Sequence, residues 1–150
     1  MYLSSCCEVI NKNINKMNRK KLISAVQQIC SNYGYSFRVV DAQSLSAQSP
    51  ALPAAVLETP EFQKIEGRNR GRMTYKVVLH LFENGAKLSP EKQAEQLAQM
   101  ESEMLGIFLQ LSENNDVALV DGLQIDSAAH LKLGRAELSM TAKAEVVIIF

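Results

Sequence analysis

The sequence predicts an α+β fold, in which an antiparallel or mixed β-sheet carries two helices packed on one face. Two stretches repeat apolar residues at helical spacing, several others alternate as strands do, and helices and strands do not alternate regularly along the chain. With 150 residues, the chain can bury a core without a disulfide or a metal. We expect a single domain over residues 18–150, preceded by a flexible arm over residues 1–17. Because Met17 lies just before the first helix, the true start is either Met1 or Met17.

The first predicted elements are a helix and a strand. Residues 19–33 have apolar side chains at helical spacing, and Asn18 and Gly34 suit the two ends of that helix. The alternation that follows predicts a strand from residue 35 to about residue 42. Residues 53–58 are apolar but have prolines on both sides, which indicates a sheet edge or an extended connection.

A long strand and a long capped helix come next. Residues 73–82 alternate with one strongly apolar face, and Asn84-Gly85 ends the strand. Ser89 suits an N-cap and Pro90 the first helical position, so we expect a helix from Pro90 to about Ser112 with Met100 and Met104 in the core. A glycine within this helix, Gly106, is expected to let it approach the sheet closely.

The last third of the chain predicts strands. Residues 117–125 form a strand interrupted at Asp121-Gly122, and residues 131–150 alternate with a change of phase that suggests a bulge at Gly134. The segment at residues 53–58 and the C-terminal strand are the edges that we expect to be available for pairing between subunits.

Charge is unevenly distributed along the chain, although sixteen basic and sixteen acidic residues cancel. Residues 1–40 carry six bases and only Glu8 as an acid, whereas residues 77–127 carry nine acids against Lys87 and Lys92. The balance disfavours a protein that functions by gripping nucleic acid phosphates. The asymmetry fits either two solvated faces or copies that pack head to tail.

A single dense basic cluster occurs at Arg68, Asn69, Arg70 and Arg72, within a predicted mobile hairpin or long loop over residues 61–72. Three interpretations fit it: a solvated hairpin tip, a loop that contacts a neighbouring subunit or a tube, and a contact to DNA phosphates. No aromatic residue lies among these arginines to stack on bases.

No motif of catalysis, metal binding or nucleotide binding occurs, so we expect no enzyme activity, no metal and no cofactor. His80 falls on the less buried face of the long strand and is expected to be either structural or solvent-facing. The repeated aspartates suit turns better than a calcium loop. A less favoured alternative is an enzyme without a familiar motif that uses Asp121, Asp126 or His130.

With these elements in place, residues 19–150 resemble the tail terminator, or tail-completion, proteins of long-tailed bacteriophages and their prophage remnants. The resemblance lies in the order of elements: the first helix, the proline-bounded segment, the arginine loop, the long strand, the helix after Ser89-Pro90 and the closing strand over residues 142–150.

The resemblance implies a homo-oligomer, a hexameric ring that caps the tail tube and connects it to the head. Its partners are then tail-tube and head-connector proteins, and DNA only passes through the ring. The expected location is the bacterial cytoplasm during assembly and then the virion tail, with no membrane association. Two alternatives remain open: a head–tail neck protein, and a small-molecule-binding regulatory module with an apolar pocket between helices and sheet.

Overall fold

Two helices and six strands form from these patterns in the computed structural model, which describes residues 18–41, 51–67, 71–128 and 137–150. The predicted arm over residues 1–17 and the predicted bulge at Gly134 lie outside the described residues. The elements are α1 (residues 18–32), β1 (Ser36–Val40), β2 (Ala54–Glu58), β3 (Glu61–Glu66), β4 (Arg72–Asn84), α2 (Pro90–Ser112), β5 (Val117–Ala128) and β6 (Glu137–Ile149).

The six strands form one mixed sheet in the order β1-β2-β4-β6-β5, and β3 pairs with the part of β4 that β2 leaves open. Only β1 and β2 pair in parallel, while every other pair among the described strands is antiparallel. The predicted α+β class with a mixed sheet is therefore confirmed.

Both helices pack on the same side of this sheet, here called the helix face. Side chains of α1 and α2 share one core with the alternate side chains of β4 and β6, as expected when every second residue of a strand points to one face. The opposite side, here called the open face, carries a second and smaller apolar cluster formed by Val40, Ala54, Val56 and Phe82.

Local signals placed the two longest predicted elements well. The Oγ of Ser89 accepts a hydrogen bond from the backbone N–H of Lys92 at 3.3 Å, and Pro90 opens α2, as predicted. Met100 and Met104 are fully buried. The predicted face of β4 is buried as well, since its five alternating apolar side chains are at most 2% exposed: Met73, Tyr75, Val77, Leu79 and Leu81.

Two predictions about edges are wrong. The proline-bounded strand β2 lies inside the sheet between β1 and β4, because Pro53 precedes the strand and Pro60 follows it, so neither removes an N–H from the ladder. The closing strand β6 is also internal, since it lies between β4 and β5. The edge strands in the described part of the chain are instead β1, β3 and β5.

The prediction for Gly106 is also wrong in its detail. A Cβ at Gly106 would overlap the hydroxyl of Tyr33, which follows α1, so this glycine allows close contact between the two helical regions and not with the sheet. Of the segment predicted as a mobile hairpin or a long loop, residues 61–72, the described part shows β3 paired to β4, and residues 68–70 lie outside the described residues. The predicted interruption of β5 is confirmed as a register shift between Asp121 and Gln124.

Candidate functional site

The longest edge of the sheet is β5, which pairs with β6 on one side and with no other described strand. Its twelve residues contain no proline and no lysine, two residue types that often protect an edge from pairing. Its bulge at Asp121 and Gly122, where Gly122 has φ of +63°, divides the edge into two segments. We call the segment after the bulge, residues 124–128, the distal segment of β5.

Helix α2 adds exposed apolar surface beside this edge. Leu105 and Leu109 are 43% and 64% exposed, one helical turn apart. They lie on a different side of α2 from Gly106 and Gln110, which contact Tyr33 just after α1. Helix α2 packs over both β5 and β6. None of residues 90–99 is fully buried, although Leu97 packs against the edge of the core.

The opposite edge of the sheet is stepped. Strand β1 pairs with β2, and β2 covers only residues 79–82 of β4. Strand β3 pairs directly with residues 72–76 of β4, so it lies one strand position closer to the centre of the sheet than β1 does. Val39 of β1 is 40% exposed on the helix face, and Phe62 and Ile65 of β3 are 37% and 55% exposed. The two ends of the sheet therefore differ in strand length, shape and side chains.

The charge asymmetry of the sequence falls on separate elements of the fold. Helix α1, over residues 18–32, contains three bases and no acid: Arg19, Lys20 and Lys21. Strand β5 contains Asp121 and Asp126 and no base. The start of α1 lies over β4, since the amide of Asn18 donates to the sulfur of Met73 at 3.0 Å. Lys20 and Lys21 of α1 also line a cleft together with Asp116, which precedes β5, so the basic helix reaches the region where the acidic strand begins.

A polar cluster on the open face was missed by sequence reasoning. The two ring nitrogens of His80 lie 2.6 Å from a carboxylate oxygen of Glu58 and 2.8 Å from the hydroxyl of Thr141. His80 is only 3% exposed and Thr141 only 6%. His80 and Thr141 are paired residues of β4 and β6, so this contact depends on a register that the sequence does not reveal.

Carboxylate, imidazole and hydroxyl groups together can activate a nucleophile when the hydroxyl can reach a substrate. Thr141 lies within a central strand, and its hydroxyl is nearly inaccessible to a substrate. The arrangement instead links three neighbouring strands, β2, β4 and β6, by hydrogen bonds between buried polar groups. Of the two expectations for His80, the structural role agrees with this geometry and the solvent-facing one does not.

The residues of the predicted contact loop are only partly described. Arg68, Asn69 and Arg70 lie outside the described residues, and Arg72 is the exposed first residue of β4, paired with Glu66 of β3. On the same hairpin, the amine of Lys64 lies 2.9 Å from the carboxylate of Glu66. The hydrogen bond from Lys64, its charge and the charge of Arg72 lower the pKa of Glu66.

Two of the three residues considered for an enzyme lie in the described part of the fold. Asp121 lies at the bulge of β5, Asp126 lies five residues further along the same strand, and both are exposed. His130 lies outside the described residues. Within the described ranges, no three His, Cys, Asp or Glu side chains are grouped as a metal site would need.

Two clefts open on the surface of the described structure. The larger has a volume of about 510 Å³ and lies between α1 and the turn before β5, with Lys20, Lys21, Gln28 and Asp116 in its lining. The smaller, of about 390 Å³, lies on the open face around Lys76 and Glu145. Both are lined largely by polar side chains at the surface.

Comparison with known proteins adds no assignment: no protein-family model and no curated protein matches this chain. Among the described residues, no helix is long and apolar enough to cross a membrane.

Proposed function

We propose that this chain is a structural protein of a phage or prophage tail, a tail terminator or completion protein that forms a ring, caps the tail tube and connects it to the head. The order of its elements resembles that family. The single observation that carries the proposal is the pair of unlike sheet edges, β5 at one end and the stepped β1 and β3 edge at the other. The protein acts in the bacterial cytoplasm during assembly and then in the virion tail.

Unlike edges matter because they decide the kind of oligomer. A surface that binds a copy of itself gives a closed dimer, whereas two different complementary surfaces on one subunit give head-to-tail contacts, which form a ring when the rotation between neighbours closes and an open filament when it does not. The open backbone groups of an edge strand also provide a ready site for strand addition. A ring of identical subunits therefore uses both ends of this sheet.

The remaining exposed surface supplies contacts to other tail proteins. Phe62 and Ile65 expose apolar side chains on β3, and the sequence that joins β3 to β4 carries the basic cluster, so the segment over residues 61–72 offers both apolar and basic groups. We assign the tube contact to this segment, including Arg68, Asn69, Arg70 and Arg72. DNA passes through the ring without sequence-specific contacts.

The small-molecule alternative fits the described structure less well. It needs a sizeable apolar pocket between the helices and the sheet. The side chains at that interface are buried and in contact in one continuous core, including Leu22 and Val26 of α1 and Ile107 and Leu111 of α2. The two surface clefts described above are open and lie outside the interface between the helices and the sheet, at α1 with the turn before β5 and on the open face.

Assembly can be tested with the full chain and purified tail-tube protein. Native mass spectrometry and analytical ultracentrifugation should show a ring, alone or on the end of tail tubes, and electron microscopy should show capped tubes. Ile65→Glu should abolish capping while ring mass is kept, whereas Glu95→Gln on exposed α2 should change neither. A chain that stays monomeric and does not bind tubes would refute the proposal, and binding only to a head-connector protein would favour the neck alternative.

A further inference from the structure

Strand pairing places β1 and the distal segment of β5 at the same level of the sheet, although the two strands form opposite edges. Successive partners across the five strands connect Arg38 with Asp126 and Val39 with Ile125. The first series is Arg38, Val56, His80, Thr141 and Asp126, and the second is Val39, Leu57, Leu79, Ala142 and Ile125. Partners in a ladder share a face, so Arg38 and Asp126 lie on the open face, and Val39 and Ile125 on the helix face.

In the described part of the chain, β1 has a strand neighbour on one side only. The N–H of Ser36 donates to the carbonyl of Pro53 at 3.0 Å, and the carbonyl of Val40 accepts from the N–H of Thr59 at 2.9 Å. The N–H and C=O groups of successive residues in a strand point to opposite sides. Ser36 and Val40 direct theirs toward β2, so those of Phe37 and Val39 point away from β2. Strand β5 likewise has one neighbour within the described part of the chain.

The directions of these strands also fit. Strand β4 is antiparallel to β2 and to β6, β1 is parallel to β2, and β5 is antiparallel to β6, so β1 runs opposite to β5. A second copy placed beside the first in the same orientation therefore offers β1 as an antiparallel neighbour for β5. When the strands run along the axis of a ring, a residue at one edge of a subunit lies opposite the residue at the same height on the facing edge of the neighbouring subunit.

This inference rests on the proposed ring. We propose that its subunits are joined by strand pairing, in which β1 of one copy pairs with the distal segment of β5 in the next, with Arg38 opposite Asp126 and Val39 opposite Ile125. We call this contact the joint. The two segments match in length, since β1 has five residues and the bulge of β5 leaves residues 124–128 beyond it. The occupant of each edge is thus a second copy of this chain.

Side chains on both faces favour this joint. Arg38 and Asp126 are exposed and of opposite charge. Arg38 already has a contact within its own chain, and the five N–H donors of a guanidinium leave others for a carboxylate. On the helix face, the joint brings Val39, which is 40% exposed, against Ile125, so the side chains there form an apolar pair.

Pairing of like edges is less favourable. Two β5 strands that met around a two-fold axis would bring aspartates of both copies together without any base in either strand. The proposed joint instead places an acidic strand against a strand whose exposed charged side chain is Arg38. Charge complementarity therefore selects the head-to-tail arrangement.

Charge reversal tests this joint. Arg38→Glu and Asp126→Arg should each raise the protomer concentration at half-assembly about tenfold or more, measured by light scattering or native mass spectrometry. An equimolar mixture of the two variants should assemble at about the wild-type concentration. When the variants alternate around the ring, the two substituted side chains meet at one joint, and Arg38 meets Asp126 at the next, so every joint pairs opposite charges. Asp121→Arg, on the same strand but before the bulge, is the matched control and should assemble normally.

Cross-linking gives an independent readout. In a Cys6→Ser, Cys7→Ser background, the pair Val39→Cys and Ile125→Cys should form disulfides between copies and give a ladder of covalent oligomers. Within one chain the two positions are four strand spacings apart, about 19 Å, which is too far for a disulfide. The control pair is Val39→Cys with Val120→Cys. Val120 lies on β5, as Ile125 does, but before the bulge, so this pair should give little cross-linking.

The outcomes separate the joint from the ring. Rings that form normally in both reversal variants, a mixture that stays dissociated, or rings without the Val39 to Ile125 cross-link would overturn the joint and leave the ring intact. A wild-type chain that neither forms rings nor caps tubes would overturn the proposed function and the joint together.

Discussion

The hydroxyl of Tyr33 occupies the space that a side chain on Gly106 would need. The same hydroxyl accepts a hydrogen bond from the amide of Gln110 at 3.2 Å, so the end of α1 is held against one side of α2. Glycine is the poorest helix former apart from proline, and its presence here follows from this contact and not from helix propensity.

Gly106→Ala should therefore destabilise the protein by about 1–3 kcal/mol, although alanine favours a helix by about 1 kcal/mol. In a Tyr33→Phe background the hydroxyl is gone and the nearest ring atom lies 3.2 Å away, so the same substitution should be close to neutral. Urea unfolding of the four variants measures the coupling. An equal cost in both backgrounds would show that Tyr33 is not the obstacle.

Thr141→Val should destabilise the fold by about 1–3 kcal/mol, because it keeps the shape of the side chain but leaves a ring nitrogen of buried His80 without this hydroxyl partner. Thr141→Ser, which keeps the hydroxyl, should cost about 1 kcal/mol for the lost methyl group. Chemical denaturation measures both. A valine variant as stable as the serine variant would contradict the role assigned to the hydroxyl.

Glu83 should make stability depend on pH. Burial and the charge of Glu103 raise the pKa of the Glu83 carboxyl, so the folded state favours its neutral form. The contribution of the protonated Glu83 carboxyl to folding stability is present at low pH and is lost as the pH rises through the raised pKa of the folded state. Glu83→Gln should stabilise the protein at pH 7 by a few tenths of a kcal/mol, since the site is partly solvated.

This gain from Glu83→Gln should disappear in acid, where the glutamate is itself protonated in both states. Thermal unfolding followed by circular dichroism between pH 4 and pH 7 provides the comparison, with exposed Glu95→Gln as the control. Equal pH dependence of the two variants would mean that burial of Glu83 has no consequence for stability.

Cys30 should be unreactive in the folded protein. It is fully buried in the core, and burial raises the pKa of its thiol to about 12. In a Cys6→Ser, Cys7→Ser variant, a thiol reagent at pH 8 should label Cys30 only after denaturation. Rapid labelling of the native protein would show that α1 opens readily from the sheet.

The sequence predicted what depends on neighbouring residues. Ser89 and Pro90 located the start of α2, and the alternation from Met73 to Leu81 identified the buried face of β4. The bulge at Asp121-Gly122 was visible for the same reason, since turn-forming residues interrupted an apolar alternation.

What the sequence did not reveal depends on pairing between distant segments. Proline marked β2 as an edge strand, yet Pro53 lies just outside it and β1 covers it by parallel pairing. The contact between His80 and Thr141 and the common level of Arg38 and Asp126 follow from registers between strands far apart in the chain. Periodicity reports which face is buried but not which strand lies next.

The position of β6 has a consequence for how the protein is made. This strand follows all other described strands in the sequence, yet it lies between β4 and β5 and pairs with both over most of its length. Until it is synthesised, β4 and β5 each lack a partner on the side that faces the other. A nascent chain therefore exposes the apolar strand β4 and the unpaired edge of β5 at the ribosome, where chaperone binding would limit aggregation before β6 inserts.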